Sequence, residues 1–160
     1  MAEVVDFEKI FLSYWDKVFR LCMGYANDEA TARDLAQESF ILVWENLANF
    51  REEAGIGTWI FRIASNHCLR QIERDRKVIK TELPLQMPEE AVPDRSREVK
   101  LLHKFISELP ETERIVISLE LEEIKQSEIA QITGLSEENV RVKIHRIKKR
   151  LTQRFKENGY

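Results

Sequence analysis

The sequence predicts an all-α protein built from two small helical domains joined by a flexible linker. Apolar residues recur at three- and four-residue steps through most of the 160 residues, the spacing of one helix face. Only five glycines and four prolines interrupt the pattern, and 43% of the residues are hydrophobic, a globular rather than disordered composition. Three of the prolines, Pro84, Pro88 and Pro93, fall among Glu82, Glu89, Glu90 and Asp94 near the middle of the chain. Such a stretch reads as an extended, solvated connection, longer than a compact domain usually tolerates. The expected division is residues 1–77, a linker over 78–97, and residues 98–160.

Each helix has its own justification. Phe7, Ile10, Phe11, Tyr14, Val18, Leu21, Cys22 and Tyr25 make one continuous apolar stripe, expected to break over 24–28. Asn27 or Asp28 can cap the helix that follows, whose inner face carries Ala32, Leu35, Ala36, Ser39, Phe40, Val43 and Leu47. A loop is expected over 49–57, with Gly55 and Gly57 as breakers, and Thr58 as the cap of a third helix. That helix turns Trp59, Ile60, Ile63, Ala64, Cys68 and Ile72 inward. Beyond the linker Val99, Leu102, Phe105, Ile106 and Leu109 open a second unit. Pro110 then suits a helix start, with Glu111 and Glu113 near the positive end of the dipole and Ile115, Val116, Leu119 and Leu121 as core.

The last part of the chain carries the sharpest signal. Ser127 to Thr133 forms a short apolar helix, Gly134 can take a left-handed turn, and Ser136 can cap a longer helix. Residues 141–156 of that helix hold eight Lys or Arg, one histidine and no acid. Ile129, Ile132, Leu135, Val140, Ile144 and Ile147 fall on a buried face, leaving Arg141, Lys143, His145, Arg146 and Lys149 outward. Helix, glycine turn and basic helix is the helix-turn-helix layout, whose second helix enters the DNA major groove. The cations are local, because the chain as a whole has a net charge of −3. An acidic chain with a basic end meets DNA in a few places, since indiscriminate phosphate binding needs wide cationic coverage.

A second basic patch lies on and beyond the third helix, at Arg62, Arg70, Arg74, Arg76, Lys77 and Lys80. Aromatic Phe50, Trp59 and Phe61 stand beside it, together with Asn66, whose amide can read a base edge. Cations beside aromatics suit single-stranded or melted nucleic acid, where exposed bases stack. Catalysis finds no support: His67, His103 and His145 are far apart and no phosphate loop or CxxC is present. No cofactor or metal is expected. Cys22 and Cys68 form no metal or redox spacing and suit a reducing cytoplasm. No apolar run approaches the ~20 residues that span a bilayer, and no signal peptide is expected.

Three segments together resemble a bacterial RNA polymerase sigma factor of the extracytoplasmic-function (ECF) type, group 4 of the sigma-70 family. Asp34-Leu-Ala-Gln-Glu-Ser-Phe40 followed by Trp44 is similar to the family's core-polymerase-binding segment. Phe50-Arg51, then Thr58-Trp-Ile-Phe-Arg-Ile-Ala-Ser-Asn66, resembles its promoter −10 segment. Leu109-Pro-Glu-Thr-Glu-Arg114, Glu128-Ile-Ala130 and residues 140–151 resemble its −35-reading domain. The match covers nearly the whole chain in order. It departs at Lys125, Arg70, Val142 and Asn139, which stand where the family more often has Ser, an acid, a small polar residue and Thr.

The resemblance implies a non-enzymatic, cytoplasmic initiation factor with a region 2-like bundle and a region 4-like helix-turn-helix domain. Core RNA polymerase would be met by Asp34, Gln37, Glu38, Phe40 and Trp44. The melted −10 element would be met by Phe50, Arg51, Trp59, Arg62, Asn66, Arg70 and Arg74. The −35 element would be met by Ser136, Asn139, Arg141, Lys143, His145, Arg146 and Lys149. The implied partners are core polymerase, promoter DNA and an anti-sigma factor, without a small-molecule substrate or membrane insertion. Two rival readings are a sigma-like decoy that binds an anti-sigma factor and an ordinary helix-turn-helix regulator. The segment over 34–66 speaks against the regulator, and the retained cations from Arg141 onward speak against the decoy.

Overall fold

The structure, a computed structural model, describes residues 6–26, 28–51, 55–77 and 94–160, with the side chains of 72–77 and 94–96 outside that description. Seven α-helices and one 3-10 turn, Leu47–Asn49, make up the regular structure of the described residues, with no strand among them. The expected acidic connection over 78–93 lies outside the described residues. The helices form two layered bundles: α1 (Phe7–Ala26), α2 (Glu29–Asn46) and α3 (Ile56–Lys77), then α4 (Asp94–Ser107), α5 (Glu111–Leu121), α6 (Gln126–Thr133) and α7 (Glu137–Glu157).

In the first bundle α1 starts where the Asp6 carboxylate accepts from the Glu8 N–H at 3.0 Å. Its stripe buries Ile10, Val18, Leu21, Cys22 and Tyr25 against Ala32, Leu35, Ala36, Phe40 and Val43 of α2 and Ile60, Phe61, Ala64 and Cys68 of α3. Asp28 caps α2 by accepting from the Thr31 N–H. Two expectations are corrected here. Helix α1 runs through Gly24 to Ala26, so Gly24 is no breaker. Helix α3 opens at Ile56, which places Thr58 inside its first turn, 5% exposed, and not at its cap.

The second bundle opens at Asp94, four residues inside the stretch expected to be linker. Its core joins Phe105, Ile106 and Leu109 to Ile115, Val116, Ile117 and Leu119 of α5, Ile129 and Ile132 of α6, and Val140, Ile144, Ile147 and Leu151 of α7. Val99, expected in that core, is 49% exposed. Pro110 caps α5 from just outside it, with Arg114 N–H bonded to its carbonyl. Helix α5 ends on Glu123 in the left-handed region at φ 60, with Ile124 N–H reaching back to the Leu119 carbonyl. That is the Schellman closure usually made by glycine, here on a residue that bears a side chain.

The two bundles pack against each other. Helix α1 lies against α4 and α5, and α3 lies against α6. Gly24 sits at this seam, where an added Cβ would stand 2.5 Å from Ser118 Oγ and 3.4 Å from Ile106 Cγ2. Arg20 makes a two-point contact with Glu122, at 2.6 Å from Nε and 2.8 Å from Nη2.

Candidate nucleic-acid and polymerase interface

The helix-turn-helix is built from α6, Gly134 and α7. Gly134 adopts φ 77 and closes α6 by donating to the Ala130 carbonyl at 2.9 Å. Ser136 Oγ accepts from Asn139 N–H at 3.1 Å and starts α7. The buried row Val140, Ile144, Ile147 and Leu151 then fixes which face of α7 turns outward. Asn139, Arg141, His145, Arg146 and Lys149 are exposed and Lys143 is half-buried.

The cations of α7 fall into two sets. Lys148 pairs with Glu120 at 3.2 Å, Arg150 with Glu113 at 3.3 Å, and Arg154 with Glu108 at 2.9 Å. Arg154 also lies 4.5 Å over the Phe105 ring. The acids absent from residues 141–156 are thus supplied by Glu108, in the turn after α4, and by Glu113 and Glu120 of α5, which the sequence pattern of α7 alone does not disclose. Among the described residues Arg141, Arg146 and Lys149 make no ion pair, so their charge faces solvent, and His145 is exposed beside them.

Helix α3 carries a second row. With Ile60, Phe61, Ala64 and Cys68 buried, Arg62, Asn66 and Arg70 are exposed four residues apart. Arg70 Nε donates to the Asn66 carbonyl at 3.4 Å. Arg74 continues the row on the last turns, its side chain outside the described residues. Phe50 and Trp59, both half-buried, form a tilted ring pair with centroids 5.0 Å apart, and Arg51 beside them is exposed. Arg62 is not free in this arrangement: its Nη2 donates to the Gln131 carbonyl of α6 at 3.0 Å.

The outer face of α2 presents Asp34, Gln37, Glu38 and Trp44 to solvent. Trp44 is 62% exposed and stands edge-on to Phe7, 5.0 Å between centroids. Glu38 Oε2 lies 2.6 Å from His67 Nε2 of α3. Phe40 departs from expectation. It is 3% exposed and packs on Phe11 and Trp15, so it supports this face from beneath and cannot touch a partner. The residue that sequence reasoning missed is Ile41, 56% exposed. Its signal was present, since Ile41 stands four residues after Gln37 on the same helix face.

Several titratable groups owe their state to their neighbours. Cys22 and Cys68 thiols meet at 3.6 Å in the first core, and that contact together with burial pushes Cys68 well up, so it stays protonated. Burial likewise pushes the Tyr25 hydroxyl well up. Thr31, through its hydroxyl and its N–H, holds Asp28 below the ordinary carboxylate range. Among the described residues no cluster of three or more His, Cys, Asp or Glu could hold a metal. No helix of the described residues is long and apolar enough to cross a membrane.

His103 yields a pH prediction. It lines a cavity at the seam with Lys17, Arg20, Glu122 and Glu123. Burial lowers its pKa, with Glu122 partly opposing. The folded chain therefore holds it neutral while the unfolded chain takes up a proton near the ordinary value of about 6.5. Because the unfolded state then binds more protons, its contribution to stability is full above that value and is lost as pH falls through the folded pKa. Thermal melts at pH 8 and pH 5.5 should show a smaller fall in Tm for His103→Gln than for the parent. Equal falls would refute the assignment.

Residues 10–78 match the family model of sigma-70 region 2, and residues 100–151 match that of sigma-70 region 4. The chain belongs to the sigma-70 family of RNA polymerase sigma factors, in its ECF group. It is 28% identical over 173 aligned residues to the ECF RNA polymerase sigma factor SigW of Bacillus subtilis, covering 98% of this chain and 89% of that relative. It is 26% identical to the RNA polymerase sigma factor YlaC of the same organism, covering 91% of this chain and 92% of that relative. The fold is that of the sigma factor RpoE of Bartonella quintana, solved with the anti-sigma factor NepR, at TM-score 0.76 and 19% identity. That match covers 96% of this chain and 98% of the solved one. CnrH, solved with the cytosolic domain of CnrY, is similar at TM-score 0.71 and 19% identity, covering 96% of this chain and 89% of that chain. As a sigma factor the chain directs RNA polymerase to promoters, and sigma factors are transcription factors rather than enzymes.

Proposed function

We propose that the sigma factor divides this task among three surfaces. The outer face of α2, with Asp34, Gln37, Glu38 and Trp44 joined by Ile41, docks on core polymerase. The Phe50–Trp59 ring pair and the row Arg62, Asn66, Arg70 and Arg74 receive the melted −10 element. The outward face of α7, led by Arg141 and Arg146, reads the −35 major groove, with Ser136 setting the entry of the helix. Phosphodiester chemistry is left to the polymerase, so the factor itself is no enzyme and works in the cytoplasm. The observation that carries this reading is the split of the α7 cations, with one set tied to Glu108, Glu113 and Glu120 and the other, Arg141, Arg146 and Lys149, exposed without an ion pair among the described residues. An anti-sigma factor is its further partner, a proposal supported by the similar sigma factor RpoE, solved with the anti-sigma factor NepR.

Run-off transcription with added core polymerase on a promoter library tests the reading. Promoter-selective transcripts are the expected result; tight, sequence-specific duplex binding by the protein alone, without effect on the polymerase, would favour an ordinary regulator. Within that assay Arg141→Ala or Arg146→Ala should cost roughly 1–3 kcal/mol and relax preference at individual −35 positions. Lys149→Ala, further along the helix, should weaken all −35 sequences about equally and lower the salt slope by about one unit or less. Uniform losses from all three substitutions would mean that DNA shape, not these side chains, supplies the selectivity.

A further inference from the structure

The recognition helix exposes an apolar residue that the charge argument leaves unused. Val142 is 41% exposed, turned away from the row Val140, Ile144, Ile147 and Leu151. Its neighbours one turn away are Glu138, Asn139, His145 and Arg146, all exposed. A β-branched residue there carries a helix-propensity cost and gains no packing in the free protein. Arg141 beside it and Arg146 one turn on direct this face to phosphate-bearing DNA, and the only apolar group on the major-groove edge of an unmodified base pair is the thymine methyl.

We infer that Val142 is a specificity-determining residue that packs on the C5-methyl of a thymine in the −35 element. The inference rests on the −35 role proposed for α7. The test takes a −35 duplex selected from the promoter library by the sigma factor with core polymerase, then replaces each thymine in turn by deoxyuridine. That change removes only the methyl group. At one position affinity should fall about fourfold, the worth of one buried methyl, and Val142→Ser should erase that difference. Loss of response to Arg141→Ala would sink the −35 reading itself, a separate outcome. A selected element without thymine, or deoxyuridine penalties that persist in Val142→Ser, would overturn the role of Val142.

Discussion

Trp44→Ala should weaken binding of core polymerase about thirtyfold or more while leaving the fold intact. The ring is 62% exposed and rests on Phe7 alone among the aromatic neighbours, so its removal opens no large cavity. A solvent-facing tryptophan beside exposed Ile41, within an otherwise polar face, has the composition of an interface anchor. Truncating such an anchor costs on the order of 2 kcal/mol or more, which is roughly thirtyfold in affinity. Titrating labelled sigma factor with core polymerase measures it. Phe40→Ala is the informative contrast, because Phe40 is 3% exposed. It should cost about 3–5 kcal/mol of stability and reduce polymerase binding only through unfolding. Unchanged affinity in a folded Trp44→Ala variant would place the polymerase contact elsewhere on the domain.

The second large effect concerns stability. Ile147 is 1% exposed on the inner side of α7, where it joins the core shared by α5 and α6. Ile147→Ala should destabilise the chain by about 2–5 kcal/mol, from lost burial and the cavity left behind. That is a large part of the roughly 5–15 kcal/mol that holds a typical domain folded. Lys149→Ala, two residues on and exposed, should stay within about 0.5 kcal/mol of the parent. Urea unfolding followed by circular dichroism should show a lower midpoint for Ile147→Ala with an unchanged slope. A midpoint equal to that of Lys149→Ala would mean that α7 is not anchored through this row.

Much of the fold was legible because its signals are local. The inward row of α7, the Gly134 turn and the Ser136 cap each depend on residues within a few positions of one another, so periodicity and capping chemistry reveal them. The outward positions Arg141, His145, Arg146 and Lys149 follow from the same period. Gly24 looked like a helix breaker because a lone glycine usually marks one, yet its missing side chain serves a contact with Ser118 and Ile106 far along the chain. For Phe40 the helix period and the motif resemblance disagree, the first placing it on the inner face and the second at the polymerase, and its packing on Phe11 and Trp15 decides for the period.

The sequence by itself determined the helical class, the order of its elements, the sigma-70 family and the side of α7 that faces outward. These follow from the helix period, from turn chemistry and from motif order, none of which needs a distant partner. Only the tertiary structure decided which cations of α7 are consumed by Glu108, Glu113 and Glu120, since that pairing spans helices whose relative placement no local pattern encodes. Only it showed α5 closing on Glu123 at positive φ, a turn with no glycine to announce it. And only it brought Arg20 to Glu122 and Arg62 to Gln131, contacts across 102 and 69 residues of chain. Such contacts depend on shape and charge matching between two preformed bundles, which appears once both bundles are packed side by side.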